Sequence, residues 1–145
     1  MQTLLLAVII GLLGGVAVGL QGPLASLMSQ RVGTMGSVFI IHLGGALMAG
    51  ALLLVMGRGS LSAWRSLPWY ALVAGVWGLV VLSAVSFTIP RIGATATVTL
   101  IVTAQLIVSA VLDHYGLLST SVRPIDLSRI LGMAVLMVGT WLMVR

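Results

Sequence analysis

Apolar residues run along this chain in long, unbroken blocks. Residues 1–30, 32–57, 66–90, 92–112 and 130–144 contain neither Asp nor Arg. None alternates apolar and polar positions with a period of two, as the strands of a membrane barrel do. A helix needs about 20 apolar residues to cross the hydrocarbon core of a bilayer. The first four blocks exceed that. The fifth reaches it if the helix begins near Ile125 or Ser128 and Arg129 extends its guanidinium to the surface. The pattern predicts five transmembrane helices, at 3–29, 34–56, 68–89, 93–112 and 127–144, in one all-α transmembrane domain over residues 1–145.

The punctuation fits these spans. Gly33 and Gly36 fall between the first two, Gly57-Arg58-Gly59-Ser60 closes the second, and Pro68 suits the first turn of the third. Pro90-Arg91-Ile92-Gly93 forms a tight break between the third and fourth. Trp64, Trp69, Tyr70, Tyr115 and Trp141 sit near span ends, where amphipathic rings prefer the interface. The first helix lacks the basic start and short apolar stretch of a signal peptide, so it is expected to remain as a span. The longest loop, about residues 113–126, is too short for a soluble domain.

Composition sharpens the picture. Of 145 residues, 60% are hydrophobic and 6% charged, against roughly 25% charged in a soluble domain. The charges are seven Arg and two Asp, and Cys is absent. That excludes a disulfide framework and a thiolate nucleophile. The net charge of +5 does not indicate nucleic acid, because the arginines are scattered singly rather than gathered on one face. They read as boundary markers. Five spans put the termini on opposite sides. With the N-terminal side designated A, side A carries Arg58, Arg65, Arg123 and Arg129, and side B carries Arg31, Arg91 and Arg145. Orientation follows Lys/Arg imbalance, and four against three is nearly none. Two readings fit: a weakly biased protein with its N-terminus inside, or a chain that inserts both ways and pairs as an antiparallel homodimer, which builds an inverted repeat with the substrate site at its interface.

Polar groups at membrane depth are the candidate chemistry. Gln21 precedes Pro23, whose missing N–H frees the carbonyl of Gly19. His42 lies about two turns into helix 2, at a depth comparable with Gln21. It is open to a proton-coupling role or to a neutral, hydrogen-bonded packing role. Trp77 is central in helix 3 and offers an indole N–H and a ring face, with Ser83 and Ser86 following. Gln105 is central in helix 4, among Thr95, Thr99 and Thr103, whose hydroxyls are expected to bond the carbonyls four residues back. Gln21, His42, Trp77 and Gln105 are therefore the expected substrate-lining residues. Gly11, Gly15, Gly19 and Gly22 form a small-residue stripe suited to close helix packing. No carboxylate lies deep: Asp113 ends helix 4, within reach of His114, Arg123 or Arg129, and Asp126 precedes helix 5. With no nucleophile–base pair, metal cluster or phosphate loop, neither an enzyme nor a cofactor is expected.

Several runs resemble a known family. Gly19-Leu20-Gln21-Gly22-Pro23-Leu24-Ala25 with Arg31-Val32-Gly33, then Pro90-Arg91-Ile92-Gly93-Ala94, then Gln105 with Asp113-His114-Tyr115-Gly116-Leu117, and Pro124-Ile125-Asp126-Leu127 to Arg129-Ile130-Leu131-Gly132 are similar to the YdcZ-type branch of the drug/metabolite transporter superfamily. The resemblance covers essentially the whole chain. It implies a five-helix half-transporter of the inner membrane, related to the four-helix small multidrug resistance proteins. One departure is that Gly22-Pro23 stand where the family pattern usually has Asn shortly after the Gln. The expected function is secondary transport of a small organic metabolite or drug-like compound by a homodimer. The alternative is a non-transporting membrane subunit that docks on a larger partner.

Overall fold

The computed structural model describes residues 2–57 and 61–145. The described chain forms helices α1 (Gln2–Val32), α2 (Thr34–Met56), α3 (Trp69–Leu72), α4 (Ala74–Tyr115) and α5 (Leu127–Val144), with short 3-10 turns at Leu61–Ser66 and Leu117–Ser119. Arg58, Gly59 and Ser60, expected to close the second span, lie outside the described residues.

Among the described residues, four stretches are long and apolar enough to cross a membrane: α1, α2, Trp69–Tyr115 and α5. The third is 47 residues long, about 70 Å at 1.5 Å per residue, roughly twice the hydrocarbon core. Gly93 divides it. Its φ of 82° and ψ of 163° are non-helical and belong to a region open essentially only to glycine. Each part is long enough to span. The division falls at Gly93, and Pro90 stays within helix, three residues before it.

The other boundaries follow from equally local causes. α1 runs unbroken through Pro23 to Val32 and stops where Gly33 takes φ 79° and ψ 160°. α2 ends at Gly57, in the left-handed conformation, whose N–H donates to the Leu53 carbonyl at 3.1 Å. Pro68 caps the one-turn α3 from outside rather than opening a longer helix.

Contacts group the residues into two units, 1–87 and 88–145. In the first, Ala25 of α1, Val38 of α2 and Leu82 of α4 form a small buried cluster, with Ile41 against it. Ser37 ties α2 to α1 by donating its hydroxyl to the Ala25 carbonyl at 2.9 Å.

In the second unit, Thr103 of α4 and Thr140 of α5 share a buried hydroxyl–hydroxyl bond of 2.6 Å. Each oxygen also lies within hydrogen-bond distance of the carbonyl four residues back; with one proton apiece, one hydroxyl donates to its carbonyl and the other donates either to its own carbonyl or across to its partner. Thr99 likewise donates to the Thr95 carbonyl. The loop after α4 folds back on the helix end and supplies donors to its terminal carbonyls. The Arg123 N–H reaches the Asp113 carbonyl at 2.8 Å and the Thr120 hydroxyl reaches that of Leu112 at 3.1 Å. The Ile125 N–H donates to His114 Nδ1 at 3.0 Å, so this ring nitrogen carries no proton. Asp126 then caps α5, its carboxylate accepting from the Arg129 N–H and the Ser128 hydroxyl, each at 2.8 Å. These bonds, the backbone one first, and then the nearby Arg129 charge hold its pKa below the ordinary 3.8.

Among the described residues, few apolar side chains are buried: Ala25, Val38, Leu82, Val85 and Ala96. An outward apolar surface is what a bilayer requires of helices whose backbone is satisfied internally. Two aromatic residues near span ends lie against arginines: Arg65 is 5.9 Å from the Trp64 ring centre and Arg145 is 4.6 Å from that of Trp141.

Candidate functional site

The four expected lining residues occupy different settings. His42 is half-buried on α2. Its Nδ1–H donates to the Val38 carbonyl at 2.8 Å, so Nε2 is the ring nitrogen left for another partner. Nε2 faces Gly78 of α4 so closely that a Cβ there would sit 2.9 Å from it. Glycine is therefore what admits the imidazole between α2 and α4. His42 is both hydrogen-bonded and packed, and its Nε2 has no hydrogen-bond partner among the described residues.

Trp77, beside Gly78, is 67% exposed. Gln21 and Gln105 are also exposed. None of the three side chains has a hydrogen bond to another described residue. Gln21 and His42, expected at comparable depth, make no bond to each other. Measured along its own helix, Gln21 lies 12 residues before Gly33 and Gln105 lies 12 residues after Gly93, about 18 Å from each turn. That is close to half the thickness of the core.

Three further polar groups escaped the sequence reading as a set. The hydroxyls of Ser26, Ser86 and Thr97 are buried without a hydrogen-bond partner, in residues only 2%, 4% and 1% exposed. A buried, unsatisfied hydroxyl costs about 1–3 kcal/mol. The signal that connects them is a repeat. At a constant offset of 60 positions, Ala25, Ser26, Arg31, Gly33 and Ser37 correspond to Val85, Ser86, Arg91, Gly93 and Thr97. The two glycines adopt nearly the same backbone conformation, and Ala25, Ser26 and Ser37 are buried like their counterparts. The first and third spans thus end in one common turn pattern.

Both carboxylates lie at helix ends. Of the partners open to Asp113, its carboxylate pairs with Arg129, at 3.9 Å, while the Arg123 backbone N–H goes to the Asp113 backbone carbonyl instead. Among the described residues, no group of three or more His, Cys, Asp or Glu is placed to hold a metal ion.

No curated protein and no solved structure matches the chain. Residues 6–142 match the family described as "Putative inner membrane exporter, YdcZ". With nearly its whole length matched and four stretches long and apolar enough to cross a bilayer, the chain belongs to the YdcZ family of inner-membrane exporters within the drug/metabolite transporters.

Proposed function

We propose that this multi-pass exporter works as an antiparallel homodimer, each chain contributing one transmembrane domain. It moves a small organic metabolite or drug-like compound through a site near the midplane lined by Gln21, His42, Trp77 and Gln105. The observation that carries this reading is the set of mid-span polar groups without a protein partner: two amides, an indole N–H and the free Nε2 of His42. Left in hydrocarbon, each costs several kcal/mol. A polar substrate, or a second copy, removes that cost. An amide can both donate and accept, so two amides select ligands by the pattern of donors and acceptors they present.

The stripe Gly11, Gly15 and Gly19 supports the dimer. A Cβ at any of these positions meets nothing within 4 Å, so the stripe is unused inside one protomer. Close approach of a second helix is the usual role of such a surface in lipid.

The test is flux into proteoliposomes holding the purified chain alone, across a chemically diverse solute panel. Transport that falls at least tenfold in Gln21→Leu and Gln105→Leu is expected. No flux for any solute, together with stable copurification of another membrane protein, would replace this reading with that of a non-transporting subunit. Reporter fusions at the C-terminus address the antiparallel arrangement: signal from both sides of the membrane is expected, and signal from one side alone excludes it.

A further inference from the structure

A groove of about 370 Å³ opens between the last turns of α4 and the first turns of α5. Its two walls are built alike. On α4, Leu106 and Asp113 are seven residues apart, and on α5, Arg129 and Leu136 are too, with Gly132 and Met133 between them. Asp113 and Arg129 stand at the end of the groove nearest the α4–α5 loop, and the leucines lie two turns deeper, about 10 Å along each helix. The groove therefore has a charged mouth at the helix ends and a mainly apolar interior, broken by Ser109 one turn in.

The charges at the mouth are only loosely joined. Arg129 Nη1 and Asp113 Oδ2 are 3.9 Å apart and each side chain is about a third exposed. That is an ion pair but too long for a hydrogen bond. Arg129 also donates to the Arg123 carbonyl at 3.2 Å, a second partner for the guanidinium. The Asp113 carboxylate accepts no hydrogen bond from a described side chain or backbone N–H. The mouth thus offers a carboxylate free to accept hydrogen bonds beside a guanidinium.

We propose that this groove seats a primary-amine zwitterionic phospholipid, with the ammonium donating to Asp113, the phosphate on Arg129, and the start of an acyl chain along Leu106 and Leu136. Opposite charges side by side complement a headgroup that carries both. A purely anionic head would meet Asp113 with its own charge. A trimethylated ammonium has no N–H to donate to the carboxylate. The site thus discriminates phosphatidylethanolamine from both phosphatidylglycerol and phosphatidylcholine.

The experiment places the purified full chain in nanodiscs with equal mole fractions of the three lipids and reads the lipids retained after partial delipidation by native mass spectrometry. Phosphatidylethanolamine should exceed phosphatidylcholine about tenfold among retained lipids in the wild type. Asp113→Asn should bring the two within about twofold. It leaves the Asp113 backbone carbonyl, the acceptor that ties down the loop, unchanged. Gly132→Leu fills the groove from α5, where a Cβ meets nothing within 4 Å. It should lower phosphatidylethanolamine retention about tenfold with both charges intact. Equal retention of the amine and trimethylated lipids by the wild type overturns the proposal, as does undiminished retention in Gly132→Leu. So does a disulfide between two copies forming readily from a cysteine placed at Met133, since a second copy would then occupy the groove.

Discussion

His42 Nε2 rests where a side chain on Gly78 would have to go, 2.9 Å from the position of its Cβ. The ring has no easy retreat, because its Nδ1–H is committed to the Val38 carbonyl at 2.8 Å. Gly78→Ala is therefore expected to displace the imidazole and cost about 1–3 kcal/mol, the range for overpacking a filled site. Gly75→Ala is the control. It lies one turn away with nothing within 4 Å of its Cβ, and should be neutral or slightly stabilising through helix propensity. Thermal unfolding in detergent compares the two. Adding His42→Ala to Gly78→Ala should recover most of the loss, and the double-mutant cycle should return about 1 kcal/mol of coupling. Additive effects would mean that the two residues do not touch.

The hydroxyls of Ser26 and Ser86 are buried without partners. If stability alone governed these positions, alanine would be the better residue. Ser26→Ala and Ser86→Ala are each expected to raise stability by about 1 kcal/mol, the lower end of the cost of an unsatisfied hydroxyl. Export rate in proteoliposomes should move the other way if these groups serve the substrate, the usual exchange of activity for stability. A loss of stability in both variants would mean that each hydroxyl has a partner in the membrane.

Much of this architecture is legible in the chain. α2 and α5 begin and end where blocks of apolar residues meet Gly33, Gly57 and Asp126, because those residues change backbone conformation or cap a helix locally. The division of Trp69–Tyr115 is legible as the run Pro90–Gly93 and falls at its glycine end: proline is tolerated inside a helix, whereas φ near +82° is not. His42 shows two possible roles in sequence and Asp113 three possible partners, but their actual contacts rest on residues far along the chain. Gly78 is 36 positions from His42 and Arg129 is 16 from Asp113, and no local rule pairs them. The buried hydroxyls are harder still. Serine in an apolar helix reads the same whether it faces lipid, its own backbone or a neighbour, and only the recurrence of Arg-Val-Gly as Arg-Ile-Gly 60 positions later marks Ser26 and Ser86 as equivalent.

That recurrence carries its own prediction. Gly33 and Gly93 share a backbone conformation, φ 79° and 82°, that side chains rarely adopt. Gly33→Ala and Gly93→Ala should each cost about 1–3 kcal/mol, and by similar amounts, since the turns are alike. Chemical unfolding monitored by circular dichroism gives both values. A cost at one position and none at the other would break the equivalence of the two turns.

Asp126 caps α5 through the Arg129 N–H and the Ser128 hydroxyl, which hold its pKa below 3.8. A carboxyl lowered on folding stabilises the folded state above its unfolded value, and that contribution disappears as pH falls through the lower, folded value. Melting temperature should therefore decline on the acid side of pH 3.8 in the wild type. Asp126→Asn keeps an amide oxygen able to cap but removes the titration, so this part of the decline should flatten. Asp126→Ala should lower the melting temperature at neutral pH as well. Equal acid-side slopes in the wild type and Asp126→Asn would show that the cap does not titrate.

The glycine stripe on α1 separates the needs of the protomer from those of the dimer. A Cβ added at Gly15 would meet nothing within 4 Å on its own chain, and leucine is a far better helix former than glycine, by about 1 kcal/mol. Gly15→Leu should therefore leave the protomer folded and at least as stable. A second helix packed on the stripe cannot tolerate it, because close backbone approach in lipid depends on small residues. Cross-linking of the dimer in native membranes should fall at least tenfold, and export should fall with it. Gly14→Leu, one residue round the helix and equally open, should affect both far less. If Gly15→Leu leaves the dimer and its transport at wild-type levels, the protomers pair through another face.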